Sequence, residues 1–202
     1  MMTLEDELRD IIEQMKTKRI VTVEFETGLS DVEINHVEEQ CDFRFPPDLR
    51  TFLQIALPTG SKNINGIEQF PNWRKNPVEI MQRNTGIWQD DFCHDVEHRN
   101  VWITEFGEKP ETLAEQLAVV RAYLKNVSTM IPIYGHRMIP AQPCEAGNPV
   151  FSIVQLNDTV HYGYNLQNYL RNEFLPWEMN WGEASDYLYI PFWSKIASGV
   201  VP

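Results

Sequence analysis

The chain has 202 residues, 43% hydrophobic and 23% charged, a composition that buries a core without disulfide staples or a structural metal. Seventeen Lys and Arg against 29 Asp and Glu leave a formal charge of −12, which repels a phosphate backbone and argues against direct nucleic-acid binding. Three widely spaced cysteines without a CxxC form neither a disulfide framework nor a zinc ribbon. The charged opening MMTLEDELRD is no signal peptide, and no apolar run approaches the ~20 residues of a membrane span, so the expected compartment is the cytoplasm.

Leu4, Leu8, Ile11, Ile12 and Met15 recur at helical spacing and predict an amphipathic first helix. Ile20–Phe25 alternates and is β-branched, which predicts a short strand. Ser30-Asp31-Val32-Glu33 is a capping box, opening a helix that buries Ile34, Val37 and Cys41. Pro47 fits the first position of the next helix, with Leu49, Phe52, Leu53 and Ala56 inside and Pro58 as its stop.

A loop from Gly60 to Lys75 carries Pro71 and Trp73. Asn76-Pro77 reads as cap and first position of a helix to about Asp91 or beyond. Lys109-Pro110-Glu111 predicts the start of another, with Leu113, Leu117, Val120 and Leu124 on one face. Beyond residue 128 the period changes to two. Met130–Tyr134, His136–Ile139, Val150–Val154 and Thr159–Tyr162 read as strands, the last two joined by a hairpin turn at Leu156-Asn157-Asp158. Asn165 caps a helix burying Leu166, Tyr169, Leu170 and Phe174. A tail follows with Trp177, Trp181, Tyr187, Tyr189, Phe192 and Trp193, aromatic side chains that ordinarily pack internally.

Helices, then antiparallel strands, then a helix make an α+β fold. N-terminal helices pack on a small, mainly antiparallel sheet, followed by a C-terminal helix and aromatic tail, in one domain over 1–202. Gly60, Gly135 and Gly163 read as backbone punctuation, allowing tight turns where a Cβ would clash. No dinucleotide loop, P-loop or nucleophile elbow is present.

Two stretches together resemble the SUKH superfamily, which takes in fungal regulators of cell-wall glucan synthesis and many bacterial immunity proteins. The first runs Gly28-Leu29-Ser30, Ile34, Val37, Glu38, then Phe43-Arg44-Phe45-Pro46-Pro47-Asp48-Leu49-Arg50-Thr51-Phe52-Leu53, Leu57-Pro58-Thr59-Gly60 and Phe70-Pro71-Asn72-Trp73-Arg74. The second runs Ile131–Arg137, Pro149–Ser152, His161-Tyr162-Gly163 and Leu166, so the match covers about residues 28–175. The resemblance implies an α+β scaffold with no catalytic residues and no cofactor, which binds a partner protein, often a polymorphic toxin. The aromatic tail lies outside it. An acidic inhibitor suits a basic toxin domain, because it imitates the phosphate charge a nuclease site holds and associates quickly. A regulatory scaffold in cell-wall synthesis is the alternative by analogy with the fungal members.

The partner-binding candidates are Trp73, Arg74, His136, Arg137 and Glu145. Trp and Arg dominate interface hot spots, although Trp73 also suits closure of the core beneath its loop. His136 and Arg137 read equally as hydrogen-bonding residues at a strand edge. Cys144 beside Glu145 could pair with His136 as a nucleophile, but it sits in a turn-rich loop with no helix start to lower its pKa.

His94-Asp95-Val96-Glu97-His98 has the form H-x-x-E-H. On a helix the two imidazoles share a face, so the segment matches the inverted zinc-protease motif and raises a metal-dependent hydrolase as the enzymatic alternative. No third ligand is evident in the sequence. Asp90, Asp91, Asp95, Glu97, His98 and Arg99 read otherwise as a solvated polar face.

Overall fold

The computed structural model describes residues 2–18, 23–62, 66 and 68–199. The fold is α+β, with two small antiparallel sheets. Helix α1 (Leu4–Lys18) buries Leu8, Ile11, Ile12 and Met15. Strand β1 (Glu24–Thr27) pairs with β2 (Ala56–Thr59). The predicted strand at Ile20–Phe25 therefore holds only from Glu24, and its residues 20–22 lie outside the described ones.

Helix α2 (Asp31–Cys41) carries the predicted capping box in full: the Glu33 amide donates to the Ser30 hydroxyl, and the Ser30 amide donates to the Glu33 carboxylate at 2.7 Å. Ile34 and Val37 are buried. Cys41 is only half-buried at the edge of the core, and burial raises its thiol pKa.

Between α2 and α3 (Pro47–Ile55) the motif Phe43–Asp48 works through two buried carboxylates. Glu38, 4% exposed, accepts the Phe45 amide at 2.9 Å and pairs with Arg44 at 2.6 Å. Asp48, fully buried, accepts the amides of Leu49 and of Gly147, and so ties the start of α3 to the distant 141–149 loop. Burial pushes the Asp48 carboxyl pKa up against those donors. Helix α3 stops at Ile55, before the predicted stop at Pro58, because residues 56–59 leave the helix to pair as β2.

Gly28 is fixed by closeness: a Cβ there would lie 1.9 Å from the Gln54 carbonyl oxygen, where the Leu29 amide reaches the Leu53 carbonyl. Gly163 is similar, since a Cβ would meet the Tyr169 Cβ at 2.7 Å.

Helix α4 (Pro77–Arg99) runs through 23 residues. Asn76 precedes it in left-handed backbone and makes no side-chain cap bond, so only Pro77 acts as expected. Helix α5 (Leu113–Leu124) begins later than Lys109-Pro110 suggests. Its N-cap is Thr112, in a second capping box with Glu115. Leu113 consequently stands 41% exposed instead of joining the buried stripe.

The main sheet has the order β3-β4-β5-β6: Met130–Tyr134, Arg137–Pro140, Val150–Ile153 and Thr159–Gly163. A 3₁₀ turn at Leu156–Asp158 joins the last two strands. Alternation along the strands divides two cores. Ile131, Ile133, Ile139 and Val150 pack with α1, α2, α3 and α6 (Leu166–Phe174). Met130, Met138, Phe151 and Ile153 pack with α4, α5 and the tail helix α7 (Trp193–Ala197). The sheet is thus covered on both faces, and β5 is buried at all four positions. Helix α4 serves both layers, with Met81 in the first core and Trp88, Phe92 and Val96 in the second.

Candidate functional site

The five sequence-predicted contact residues do not form one site. Trp73 is 2% exposed and packs edge-on against Phe43 and Phe45, with ring centroids 6.2 and 5.3 Å away. It closes the core beneath its loop.

Arg74 fastens that loop to α2 and β1. Its Nε donates to Glu33 at 2.7 Å, Nη2 to the Gly28 carbonyl at 2.9 Å and Nη1 to Glu26 at 3.4 Å. The Arg74 guanidinium, helped by the Ser30 donors, lowers the Glu33 carboxyl from 4.5 to about 2. A depressed acid pKa adds stability above the unfolded value and loses it as pH falls through the folded one. Because the Glu33 side chain is 38% exposed, screening reduces this to about 1 kcal/mol. Arg74→Met should therefore flatten the loss of stability between about pH 5 and pH 2, read from urea unfolding at each pH. The buried Asp48, whose pKa shifts upward, contributes with the opposite sign and is common to both proteins.

Arg137 lies mostly inside. Its Nη1 donates to the Ser152 hydroxyl at 2.9 Å, its Nε lies 3.4 Å from Glu173, and its guanidinium stacks 3.7 Å from the centroid of the Tyr162 ring. Burial raises the Glu173 pKa against the pull of Arg137. His136 is exposed on the β3–β4 turn and touches Arg137. Desolvation, with the Arg137 charge, lowers its pKa. Glu145 is exposed in the 141–149 loop. Cys144, its neighbour, directs its thiol to the Phe45 carbonyl at 3.7 Å. His136 and Cys144 flank opposite ends of β4, so they do not form a nucleophile pair.

The H-x-x-E-H segment lies on α4. His94 and His98 are exposed with ring centroids 4.4 Å apart, and a Glu97 oxygen lies 3.7 Å from the His98 Nε2. A catalytic zinc takes three protein ligands. Among the described residues no three His, Cys, Asp or Glu side chains converge to hold a metal ion. Asp95 departs from the expected solvated face: it is fully buried and accepts the Leu156 amide at 2.9 Å, tying α4 to the β5–β6 turn.

The tail holds what sequence reasoning left unassigned. Phe192, Trp193 and Ile196 belong to the second core, while Trp177, Met179 and Trp181 stand 48%, 50% and 46% exposed. Three large apolar side chains at that exposure within five residues form the most apolar exposed stretch of the tail.

The segment is held from below by two asparagines of α6. Asn168, 4% exposed, and Asn172, 5% exposed, both donate to the Asn180 carbonyl, at 2.7 and 3.0 Å. The Asn180 amide donates back to Asn172 at 2.8 Å, and the Gly182 amide donates to the Asn180 side chain at 2.9 Å. Trp181 rests edge-on against Tyr162, centroids 5.5 Å apart, which continues the face towards Arg137. The Tyr187 hydroxyl donates to the Trp181 carbonyl at 2.6 Å, with exposed Leu188 and Tyr189 next along the chain. The visible signal is Trp-x-Met-x-Trp between Pro176 and Gly182. Trp177 lies in a 3₁₀ turn, Pro176–Glu178, and Met179 and Trp181 follow it in chain that belongs to no helix or strand.

No protein-family profile, curated protein or solved structure matches the chain. Among the described residues no helix is long and apolar enough to cross a membrane.

Proposed function

We propose that the chain is a non-catalytic protein-binding domain of the SUKH type, serving in the cytoplasm as a bacterial immunity protein that occludes a basic toxin domain. The single observation carrying the protein-binding reading is the Trp177–Trp181 segment, which offers solvent three large apolar side chains on a backbone clamped by buried Asn168 and Asn172. A surface ordered before contact gives up less conformational entropy on binding. The choice of toxin follows the family resemblance, and the choice of a basic one follows the charge of −12.

Co-purification from the native cell should bring down one protein stoichiometrically. Its association rate constant should fall about tenfold or more between low and physiological-to-high salt, because opposite charges steer the encounter. A rate indifferent to salt contradicts the charge argument, and recovery of a small molecule with no protein contradicts the reading itself.

A further inference from the structure

We infer that Trp177, Met179 and Trp181 are the anchors for a partner whose apolar cleft is rimmed by lysine and arginine. This inference rests on the protein-binding reading and specifies its surface. Residues 172–194 contain four carboxylates, Glu173, Glu178, Glu183 and Asp186, and no Lys or Arg.

Two of the four are occupied within the fold: Arg137 pairs with Glu173, and Arg171 with Glu178. Glu183 and Asp186 are exposed, and among the described residues neither pairs with a cation. The Asp186 carboxylate accepts the Glu183 amide at 2.7 Å, which holds both side chains beside Gly182 at the end of the aromatic segment. An apolar centre with a charged rim is the ordinary anatomy of a specific interface.

The rings at this face already hold cations. Lys18 places its ammonium 4.5 Å from the centroid of Trp177, and Arg137 stacks on Tyr162, against which Trp181 rests. An arginine from outside finds the same attraction on the Trp181 ring, together with the Glu183 and Asp186 carboxylates. A second copy of the chain fits poorly, because it would bring the same acidic rim, and a whole-chain charge of −12, against its like.

The test uses the full chain and two synthetic peptides of about 14 residues, one alternating leucine pairs with arginine pairs and its counterpart with glutamate in place of arginine. By calorimetry the arginine peptide should bind at least about tenfold more tightly than the glutamate one. The W177A/W181A double variant, its fold checked by urea unfolding, should lose about tenfold or more of that affinity with its charge unchanged. Glu183→Lys should weaken the same peptide while leaving the aromatics in place. Equal binding of both peptides, or undiminished binding by W177A/W181A, overturns the assignment.

Co-purification separates this inference from the broader reading. A native protein recovered equally well with W177A/W181A overturns the surface and leaves protein binding standing. Discrimination between the peptides with no native protein recovered supports the surface and defeats the proposed function.

Discussion

Trp193→Ala should cost about 3–5 kcal/mol of unfolding free energy, the range for emptying a large aromatic site in a packed core. Trp193 is fully buried, with ring centroids 5.2 Å from Trp88, 6.1 Å from Phe92 and 5.1 Å from Phe192. Its indole N–H donates to the Ser128 carbonyl at 2.9 Å, so the substitution also strands an acceptor.

Phe192 immediately before it has φ 68° and ψ −62°, and the Trp193 amide reaches back to the Pro191 carbonyl in a tight γ-turn. A bulky residue in that conformation costs about 1–3 kcal/mol and persists only where surrounding packing enforces it. Loss of Trp193 removes that packing, so α7 should detach from the second core. Trp181→Ala, at an exposed ring, should change stability by less than about 1 kcal/mol. Urea unfolding of both variants gives the comparison. A Trp193→Ala effect no larger than that of Trp181→Ala contradicts the division of the tail into core and surface.

The second large effect is expected at Gly28. An alanine there would place its Cβ 1.9 Å from the Gln54 carbonyl oxygen and 2.9 Å from the Ile55 carbonyl carbon. Both obstacles are backbone at the end of α3, so no rotamer change relieves them, and either β1 or α3 must move. Overpacking of this kind costs about 1–3 kcal/mol and sometimes more. The displacement also threatens the Leu29-to-Leu53 bond and the contact of Arg74 with the Gly28 carbonyl.

Gly86, a half-buried helical glycine with open space where its Cβ would stand, is the matched control. Alanine there should stabilise by about 0.5–1 kcal/mol through helix propensity. Thermal unfolding should move in opposite directions for the two substitutions. Equal tolerance at both sites contradicts the close approach at Gly28.

The N-terminal half was the more legible because its signals are local. Ser30 and Glu33 are three residues apart and satisfy each other's amides, and Pro47 needs only a helix start to fit. Thr112–Glu115 carries the same kind of signal, yet Pro110 draws the helix start earlier in a reading by residue type alone. Asp95 was also within reach: it lies beside Val96 on the turn following Trp88 and Phe92, and so on the buried stripe of α4. Arg99, four residues on, pairs with it at 3.4 Å, but its other partner, the Leu156 amide 61 residues away, is one that no spacing discloses.

The two-sided cover of the sheet was not readable for a similar reason. Met130, Met138, Phe151 and Ile153 find their partners in α4 and the tail, and those contacts are set by topology. Trp73 and Trp177 show the limit for the site. Both follow a proline within two residues, but one is 2% exposed and the other 48%. The difference comes from Phe43 and Phe45 on one side and the Asn168–Asn172 clamp on the other.

Hydroxyl-radical footprinting of the chain, alone and with the protein that co-purifies with it, tests the central claim most directly. Oxidation of Trp177, Met179 and Trp181 should fall several-fold in the complex, while the already buried Trp73 and Trp193 stay unreactive in both states. Full oxidation of those three residues in the complex, with protection appearing on another face, contradicts it.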